Sequence, residues 1–598
     1  MPGVVGIITQ GSADKARSEL AAMVEAVCHE AWYVCGTWVS ESQGVYLGWV
    51  ARSGSLAAQS PLVDGSDHLV VVVAGEPRVG GFRAASDGDT ARRELIGLLG
   101  GCDETAECFR KLEGGFHGVA VFGSPARAVL FTDRYGIERL YYHEAEEGFY
   151  FGAEAKAILA ARPETRSLDP RSLGELASCG CILEDRSLFR DIRTVPAASA
   201  WSFAHGKLVR RDTYFRPAEW EAQERLEPHA YYNQWREIFP SKLPLYFAGQ
   251  ERVAVALTGG WDTRAIMAWQ TAAPDSLPCY TFGGALRESQ DVVVARRVAQ
   301  VCRQPHAVLR VNGEFLSAFH RYANQTVFRT EGCTGVEHAA DLYVSAKARQ
   351  IAPAKIVGTW GSEILCQAVT FRPGRPTAGL YDAGLQPYLR EAEETYWELR
   401  RLHPMTFAAF EQTRLHHFGV MALEQSFLTV RAPFLDSDLV RTAYCAPSLN
   451  QADIRMRLVR DGNPLLAEIP SDRGRLRRAT GAEMTPGAIG QELLFKAEYA
   501  FDMGMPHWLA RMNAALAPLR LERLFLGRHK FLHFRSWYRR ELAGYLQEVL
   551  LDPSASSRSY LERGGVNRIV REHLSGHKNH TGTLHTLLRL ELVHRLFG

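Results

Sequence analysis

The sequence predicts an α/β protein of two domains: a layered domain of mostly antiparallel strands, then an open sheet of parallel strands with a helical extension. Three observations carry the prediction. A chain of 598 residues exceeds what one hydrophobic core holds, since single cores rarely grow beyond about 250–300 residues. From residue 1 to about 208, short β-type runs are punctuated by glycine and turn residues. Beyond 250 the pattern changes to strand-then-helix alternation, which implies parallel strands joined by crossover helices.

In the first region the strand-like runs are GVVGIIT, GVYLGWVA, HLVVVVAGE, HGVAVFG, AVLFTDR, RLYYHEA and GFYFGAE, with ARRELIGLLG reading as a helix. The proline- and charge-rich stretch 214–232, YFRPAEWEAQERLEPHAYY, reads as a linker and divides the chain into domains 1–212 and 213–598. The second region opens with RVAVAL, a helix from Thr263, PCYTFG, a helix through DVVVARRVAQVC, HAVLRV and later AKIVGTW. Residues 375–598 read as largely helical, with aromatic and leucine positions at helical spacing. No internal repeat or low-complexity segment interrupts the chain.

Bulk composition excludes several classes. With 46% apolar and 23% charged residues the chain is neither disordered nor fibrous. A formal charge of +2 gives no general pull toward nucleic acid or a membrane surface. The start MPGVVGIITQ lacks a basic leader, and no stretch nears the roughly 20 apolar residues that span a bilayer, so a cytoplasmic protein without membrane partners is expected. The 11 cysteines are odd in number and include no CxxC; Cys179 and Cys181 form only a CxC pair, so reduced, mostly buried thiols are expected.

The chemistry-bearing stretch is VAVALTGGWDTRAI, 253–266. At the carboxyl end of a parallel strand, Leu257, Thr258, Gly259 and Gly260 would present backbone N–H groups and a hydroxyl to an anion, with the next helix adding its positive dipole end. A pyrophosphate fits. Asp262 would repel a phosphate unless a cation lay between them, which assigns it to Mg²⁺, directly or through water. The bland alternative is a tight turn with Asp262 as a favourable first-turn charge.

LTGGWDTR resembles the SGGxDS pyrophosphate loop of the N-type ATP pyrophosphatases, and further landmarks resemble the glutamine-hydrolysing asparagine synthetase B family. GTWGSEIL, Gly358 to Leu365, is similar to that family's GxGxDE loop; RAPFLDSDLV, Arg431 to Val440, to its RxPFLD signature; and ESQDVVVARRVA, with Asp291, to its acidic segment before the adenine-side helix. LEGGFHGVAVFG, TDRYGIERLYY and FYFGAEAKAIL resemble the core of its glutaminase domain. The resemblance implies an αββα glutaminase-like (Ntn-type) first domain and an α/β ATP-pyrophosphatase second domain. It implies ATP and Mg²⁺ as cofactors, with Leu257, Thr258, Gly259, Gly260, Asp262, Thr263 and Gly361 at the nucleotide and Asp262 and Glu363 at the metal. Asp262, Glu363 and Arg455 are the catalytic candidates.

Several positions depart from the family. Glutamine-using members begin Met-Cys and use that cysteine as nucleophile; here residue 2 is Pro2, and Cys28 and Cys35 are internal. AGEP at 74–77 stands where the family has Asn-Gly-Glu, so Ala74 replaces an oxyanion-hole residue. An inactive glutaminase domain is expected; Asp89 in DGDTARREL matches the family's substrate-binding aspartate or is a relic of it. Thr263 and Arg264 replace two serines; Arg264 either reaches a phosphate or forms a surface ion pair. Ser362 and Glu363 stand for Asp-Glu, and where the family has a downstream lysine this chain offers Arg455, Arg457 and Arg460. Arginine neutralises pyrophosphate but does not readily yield a proton.

The reaction implied is attack of a carboxylate on the α-phosphate of ATP, then capture of the acyl-adenylate by an amine. Without glutamine-derived ammonia, the nucleophile should be free ammonia or an amine of the substrate. Two family branches meet that condition, β-lactam synthetases and lasso-peptide cyclases. The tail GRHKFLHFRSWYRREL, 527–542, suits a bulky or peptide substrate, and a leader peptide or precursor-processing protein is a candidate partner; core packing of the same aromatics is the alternative. An ammonia-using asparagine synthetase should keep the lysine, a catalytically silent scaffold should lose the loop, and a tRNA-modifying pyrophosphatase would lack DRYGIERLYY.

Two weaker constellations remain. His573, His577, His580 and His585 crowd the end of the chain, and His573 and His577 at i, i+4 on a presumed helix could hold zinc or be surface and capping residues. SDRGRLRR, 471–478, could grip ATP phosphates, a leader peptide or RNA, or be a solvated helix end.

Overall fold

The computed structural model describes residues 2–64, 68–80, 88–102, 106–447, 452–471, 486–515 and 521–598. The chain is a mixed α/β protein, antiparallel first and parallel later. Strands β1 (Gly3–Thr9), β2 (Tyr33–Ser40), β3 (Val45–Arg52), β4 (Leu62–Val63) and β5 (Leu69–Gly75) come first. A ribbon of β6 (Arg78–Val79) and β7 (Leu112–Glu113) precedes β8 (Phe116–Gly123), β9 (Ala126–Thr132), β10 (Tyr141–Ala145) and β11 (Gly148–Gly152). The first region closes with β12 (Arg193–Thr194), β13 (Ser199–Ala204) and β14 (Lys207–Thr213). They form two six-stranded antiparallel sheets, ordered β12-β10-β11-β1-β3-β2 and β14-β13-β9-β8-β5-β4.

The two-residue period of a strand explains the layering. Along β5, Val70, Val72 and Ala74 face the other sheet, while Leu69, Val71 and Val73 join a second core with Leu95 and Leu99 of the helix Gly88–Gly100. On β1, Val4 and Ile8 share the inter-sheet core, whereas Val5 and Ile7 pack with Ala16 and Leu20 of the helix Ala13–Val27. Both faces of each central strand are covered, so the runs are continuously apolar, and the layers stack helix, sheet, sheet, helix.

The second region carries a five-stranded parallel sheet: β15 (Val253–Ala256), β16 (Cys279–Gly284), β17 (His306–Val311), β18 (Ala354–Ile356) and β19 (Thr429–Arg431). Their order is β17-β16-β15-β18-β19. Succession runs outward in one direction through β16 and β17, then in the other through β18 and β19. The reversal falls between β15 and β18, the switch point where open α/β sheets bind ligands.

Two expectations are corrected. Stretch 214–232 is no loose tether: Tyr214 and Phe215 are buried, a short helix covers Ala218–Glu221, and the helix Pro228–Phe247 starts inside it, burying Trp235 and Phe239. The thiols are not all reduced or buried. Cys102 and Cys108, drawn to a Cα separation of 5.5 Å, are a disulfide pair, and Cys28 and Cys35 are exposed. The aromatic tail packs as the core alternative expects, with Phe534, Tyr538 and Leu542 buried. Among the described residues no helix is long and apolar enough to cross a membrane.

Candidate functional site at the sheet switch point

Leu257 continues β15 by one residue. Its N–H donates to the Tyr280 carbonyl at 2.8 Å, its carbonyl accepts from Thr281 Oγ1 at 3.0 Å, and its side chain is buried. From there the loop folds on its own hydroxyls. The Thr258 N–H donates to Thr263 Oγ1 at 3.3 Å, the two threonine hydroxyls lie 3.1 Å apart, and the Gly260 N–H donates to Thr258 Oγ1 at 3.3 Å. Gly260 is the N-cap of the helix Trp261–Trp269, whose first turn carries Asp262. The Gly259 N–H donates to Asp291 Oδ1, so the acidic segment reaches the loop through a backbone amide.

The second loop leaves β18 and is pressed against the first. A Cβ on Gly358 would lie 2.6 Å from the Thr263 nitrogen, and one on Gly361 2.6 Å from Asp262 Cβ and Cγ; only glycine permits either approach. Between them Trp360 adopts a left-handed φ of 71° with its indole fully buried, and the helix Gly361–Cys366 follows. Ser362 Oγ donates to Asp262 Oδ2 at 2.7 Å. Arg455, on the helix Ala452–Gly462, donates from Nη1 to Ser362 Oγ at 3.0 Å and lies 3.6 Å from Asp262 Oδ1. Glu363 is 6% exposed and faces His417 Nε2 at 3.2 Å. Burial raises the Asp262 pKa above the ordinary carboxylate value; the Ser362 hydrogen bond and Arg455 pull it down, and Glu363 pushes it up again.

The structure thus gathers Thr258, Gly259, Gly260, Asp262, Thr263, Gly361, Glu363 and Arg455 at one sheet end, with Leu257 anchoring the loop from below. Neither reading of Arg264 holds. It is fully buried and donates to the carbonyls of Gly259, Leu466, Ile469 and Pro470, fastening the loop to the segment after the helix Pro464–Glu468. Arg457 stacks on the Tyr232 ring at 3.5 Å, and Arg460 is exposed, so only Arg455 of the three arginines enters the site. His417 had no sequence signal. It ends a π-helical turn, Thr413–His417, and meets Trp360 edge-on at 5.4 Å.

Asp262 Oδ1 is a buried oxygen that accepts no hydrogen bond, which fits a divalent cation held by Asp262 with Glu363. Among the described residues no group of three or more His, Cys, Asp or Glu side chains is placed to hold a metal. A cation here would complete its shell with phosphate oxygens and water, the usual habit of Mg²⁺.

In the first region, Pro2 is buried and brings no thiol, Ala74 pairs across β5–β8 with His117, and Asp89 is exposed. Burial lowers His117 to about 4, and its Nε2 accepts the Val4 N–H at 3.1 Å. Glu76 forms a paired contact with Arg431, Oε2 to Nε at 2.8 Å and Oε1 to Nη2 at 2.6 Å. That pair lines a cavity of about 40 Å³ between the two regions, room for a water or two.

The histidine cluster divides differently from expectation. The helix Gly565–Leu574 ends before His577, so His573 and His577 do not share a helical face. His573 is fully buried and accepts the His580 N–H at 3.1 Å, His580 faces Glu572 at 2.8 Å, and His585 packs edge-on against Phe534. Among the described residues they form no metal site, and His573, His580 and His585 are not surface residues. Apart from Ser471, cluster 471–478 lies outside the described residues.

Residues 81–215 match the family model of a glutamine amidotransferase domain. No curated protein matches the chain. A solved structure described as the allosteric regulatory enzyme of purine biosynthesis aligns at 10% identity over 51% of this chain and 80% of the other, with a TM-score of 0.26. Glutamine phosphoribosylpyrophosphate amidotransferase from B. subtilis, complexed with ADP and GMP, aligns at 10% identity over 51% and 65%, with a TM-score of 0.24. At those scores the structural likenesses carry no argument. By the family match, residues 81–215 are similar to a glutamine amidotransferase domain; the chain continues into a parallel sheet that brings two strand-end loops together.

Proposed function

We propose that the chain is an ATP-dependent amide-forming ligase working at the β15/β18 switch point, with an amidotransferase-type domain that does not release ammonia from glutamine. The observation that carries this reading is the meeting of Asp262, Ser362 and Arg455, drawn from three separate segments onto one loop beside the exposed Thr258. In this reading a carboxylate oxygen attacks the α-phosphorus of ATP, the bond to the β-phosphate oxygen breaks, and pyrophosphate leaves. An amine then attacks the acyl carbon, AMP departs, and the amine's proton passes to solvent or to a second amine.

The chain's own contributions are binding and positioning. The amides of Gly259 and Gly260, the Thr258 hydroxyl and the helix dipole receive the pyrophosphate, and Arg455 offsets negative charge beside it. Bound Mg²⁺ would be held by Asp262 and Glu363 and would supply charge neutralisation. The substrate amine stands in for glutamine-derived ammonia because Pro2 has no thiol. Macrolactam formation, joining a peptide's terminal amine to an acidic side chain, is the reaction we favour within this class.

ATP–pyrophosphate exchange with Mg²⁺ and a panel of carboxylates, including aspartate and short acidic peptides, tests the proposal. Exchange stimulated by one carboxylate and abolished in Asp262→Ala is expected. No exchange with any candidate, together with no ATP binding, would overturn it.

A further inference from the structure

Cys28 and Cys35 are the two exposed free thiols among the described residues. Cys28 caps the C-terminus of the helix Ala13–Val27, and Cys35 lies on β2 opposite Val50 of β3. The two-residue period of the strand decides where Cys35 points. Tyr33 joins the core beneath the helix with Leu20 and Val24. A Cβ on Gly36, by contrast, would lie 2.4 Å from the ring of Trp49, which belongs to the core between the sheets. Cys35, two residues after Tyr33, therefore shares its face and looks toward the helix layer. The helix sits directly on the neighbouring strand, since a Cβ on Gly48 would come within 2.4 Å of Val24. The two thiols are hydrogen-bond neighbours there, and burial together with the Cys35 thiol raises the Cys28 pKa.

The segment between the two cysteines is a latch onto the second region. The His29 ring meets Phe328 edge-on at 5.5 Å, and Glu30 Oε1 accepts from Arg329 Nη2 at 2.6 Å. The Arg349 guanidinium lies over the Trp32 ring at 3.7 Å. Tyr33 donates its hydroxyl hydrogen to the Ser426 carbonyl at 2.6 Å, just before β19 of the parallel sheet begins. Four of the five residues from 29 to 33 thus grip the second region, and the thiol pair brackets all of them. No group of three or more His, Cys, Asp or Glu side chains is placed to hold a metal among the described residues, so the pair is not half of a zinc site.

From this juxtaposition we infer that Cys28 and Cys35 form a redox modification site, a dithiol that a low-molecular-weight disulfide of the glutathione class oxidises to an intramolecular disulfide around the latch. One cysteine, as thiolate, attacks a sulfur of the glutathione disulfide; a mixed disulfide forms and one glutathione leaves. The other cysteine's thiolate then attacks the protein sulfur of that mixed disulfide and expels the second glutathione. Two protein thiols are oxidised to one disulfide, one glutathione disulfide is reduced to two thiols, and these take up the two protons. Both cysteines are exposed, so the reagent reaches them without unfolding. Closing the ring removes conformational freedom from 28–35 and holds the latch in its docked form. The inference is independent of the ligase reading, since it needs neither ATP nor the loops at β15 and β18.

Equilibration of the full chain in glutathione buffers of rising oxidised fraction, followed by alkylation, trypsin and mass spectrometry, tests it. Both cysteines fall in one tryptic peptide, between Arg17 and Arg52. Under reducing conditions that peptide should carry two alkyl groups. On oxidation it should lose both together and become lighter than the free dithiol by two hydrogens. Cys28→Ser and Cys35→Ser, which change exposed side chains, should each leave a peptide that gains one glutathione instead. Hydrogen exchange at 29–33 should slow in the oxidised wild type and not in either variant. Two thiols that stay open to alkylation throughout, or that each retain a glutathione, would overturn the site. Pairing without slower exchange would overturn the latch.

Discussion

Ser362 gives its hydroxyl hydrogen to Asp262 at 2.7 Å and receives one from Arg455 at 3.0 Å, so a single side chain couples the two strand-end loops to a distant helix. Where a second carboxylate would repel Asp262, the hydroxyl bridges it to a cation. Ser362→Ala removes the bridge and a hydrogen bond to a charged group, worth about 1.5–3 kcal/mol. The expected result is a fall of about tenfold or more in ATP–pyrophosphate exchange, with the fold intact by circular dichroism.

Asp262→Asn keeps the shape of the side chain and removes its charge. If Asp262 serves a cation beside the pyrophosphate, exchange should drop by about 100-fold or more, the scale seen when one preorganised electrostatic contact is lost. Raising Mg²⁺ should not restore it. A wild-type rate in this variant would remove Asp262 from the chemistry.

Gly361→Ala places a methyl group 2.6 Å from Asp262 Cβ. Overpacking of this kind costs about 1–3 kcal/mol, and relief requires the loops to part. Urea unfolding should show the loss, and exchange should fall with it. A variant as stable and as active as wild type would contradict the close packing of the two loops.

Burial pushes the Glu138 carboxyl up to about 7, from 4.5 in the unfolded chain. The folded state therefore holds this proton more tightly. The resulting stability is present in full below the unfolded value and is lost as pH rises through about 7, by about 3 kcal/mol from this group. Glu138→Gln keeps the residue neutral, so the drop in melting temperature between pH 5 and pH 8 should shrink relative to wild type. An unchanged pH slope would count against a buried, proton-retaining Glu138.

Arg431 is 4% exposed and holds Glu76 across the junction between the two regions. Arg431→Leu alone leaves a partly buried carboxylate unpaired and should cost about 3 kcal/mol, the lower end for a broken buried pair because Glu76 keeps some solvent. Adding Glu76→Leu should recover most of that loss. Two additive losses in the double-mutant cycle would show that the pair is not coupled.

What the sequence made legible follows from how local each signal is. Continuous apolar runs such as LVVVVAG announce strands covered on both faces, and the paired glycines after RVAVAL announce the break between strand and helix. Strand β2, YVCGTWVS, and strand β14, KLVRRDT, escape because they are sheet edges with half-exposed or exposed faces and no clean apolar run. Asp262 and Glu363 are visible because each follows a strand. His417 is invisible because its link to Glu363 depends on a distant π-helical turn. Arg264 is misread for a related reason: beside an anion loop a guanidinium suggests phosphate, and only the path of 466–470 shows that carbonyls take its donors.

The carboxylate of Asp291 already occupies the Gly259 amide. If the loop receives a phosphate as proposed, the incoming group would displace an occupant of its own sign. Capture and displacement would then be one exchange, coupling the loop to the first turn of the helix Gln290–Val301, which carries Asp291.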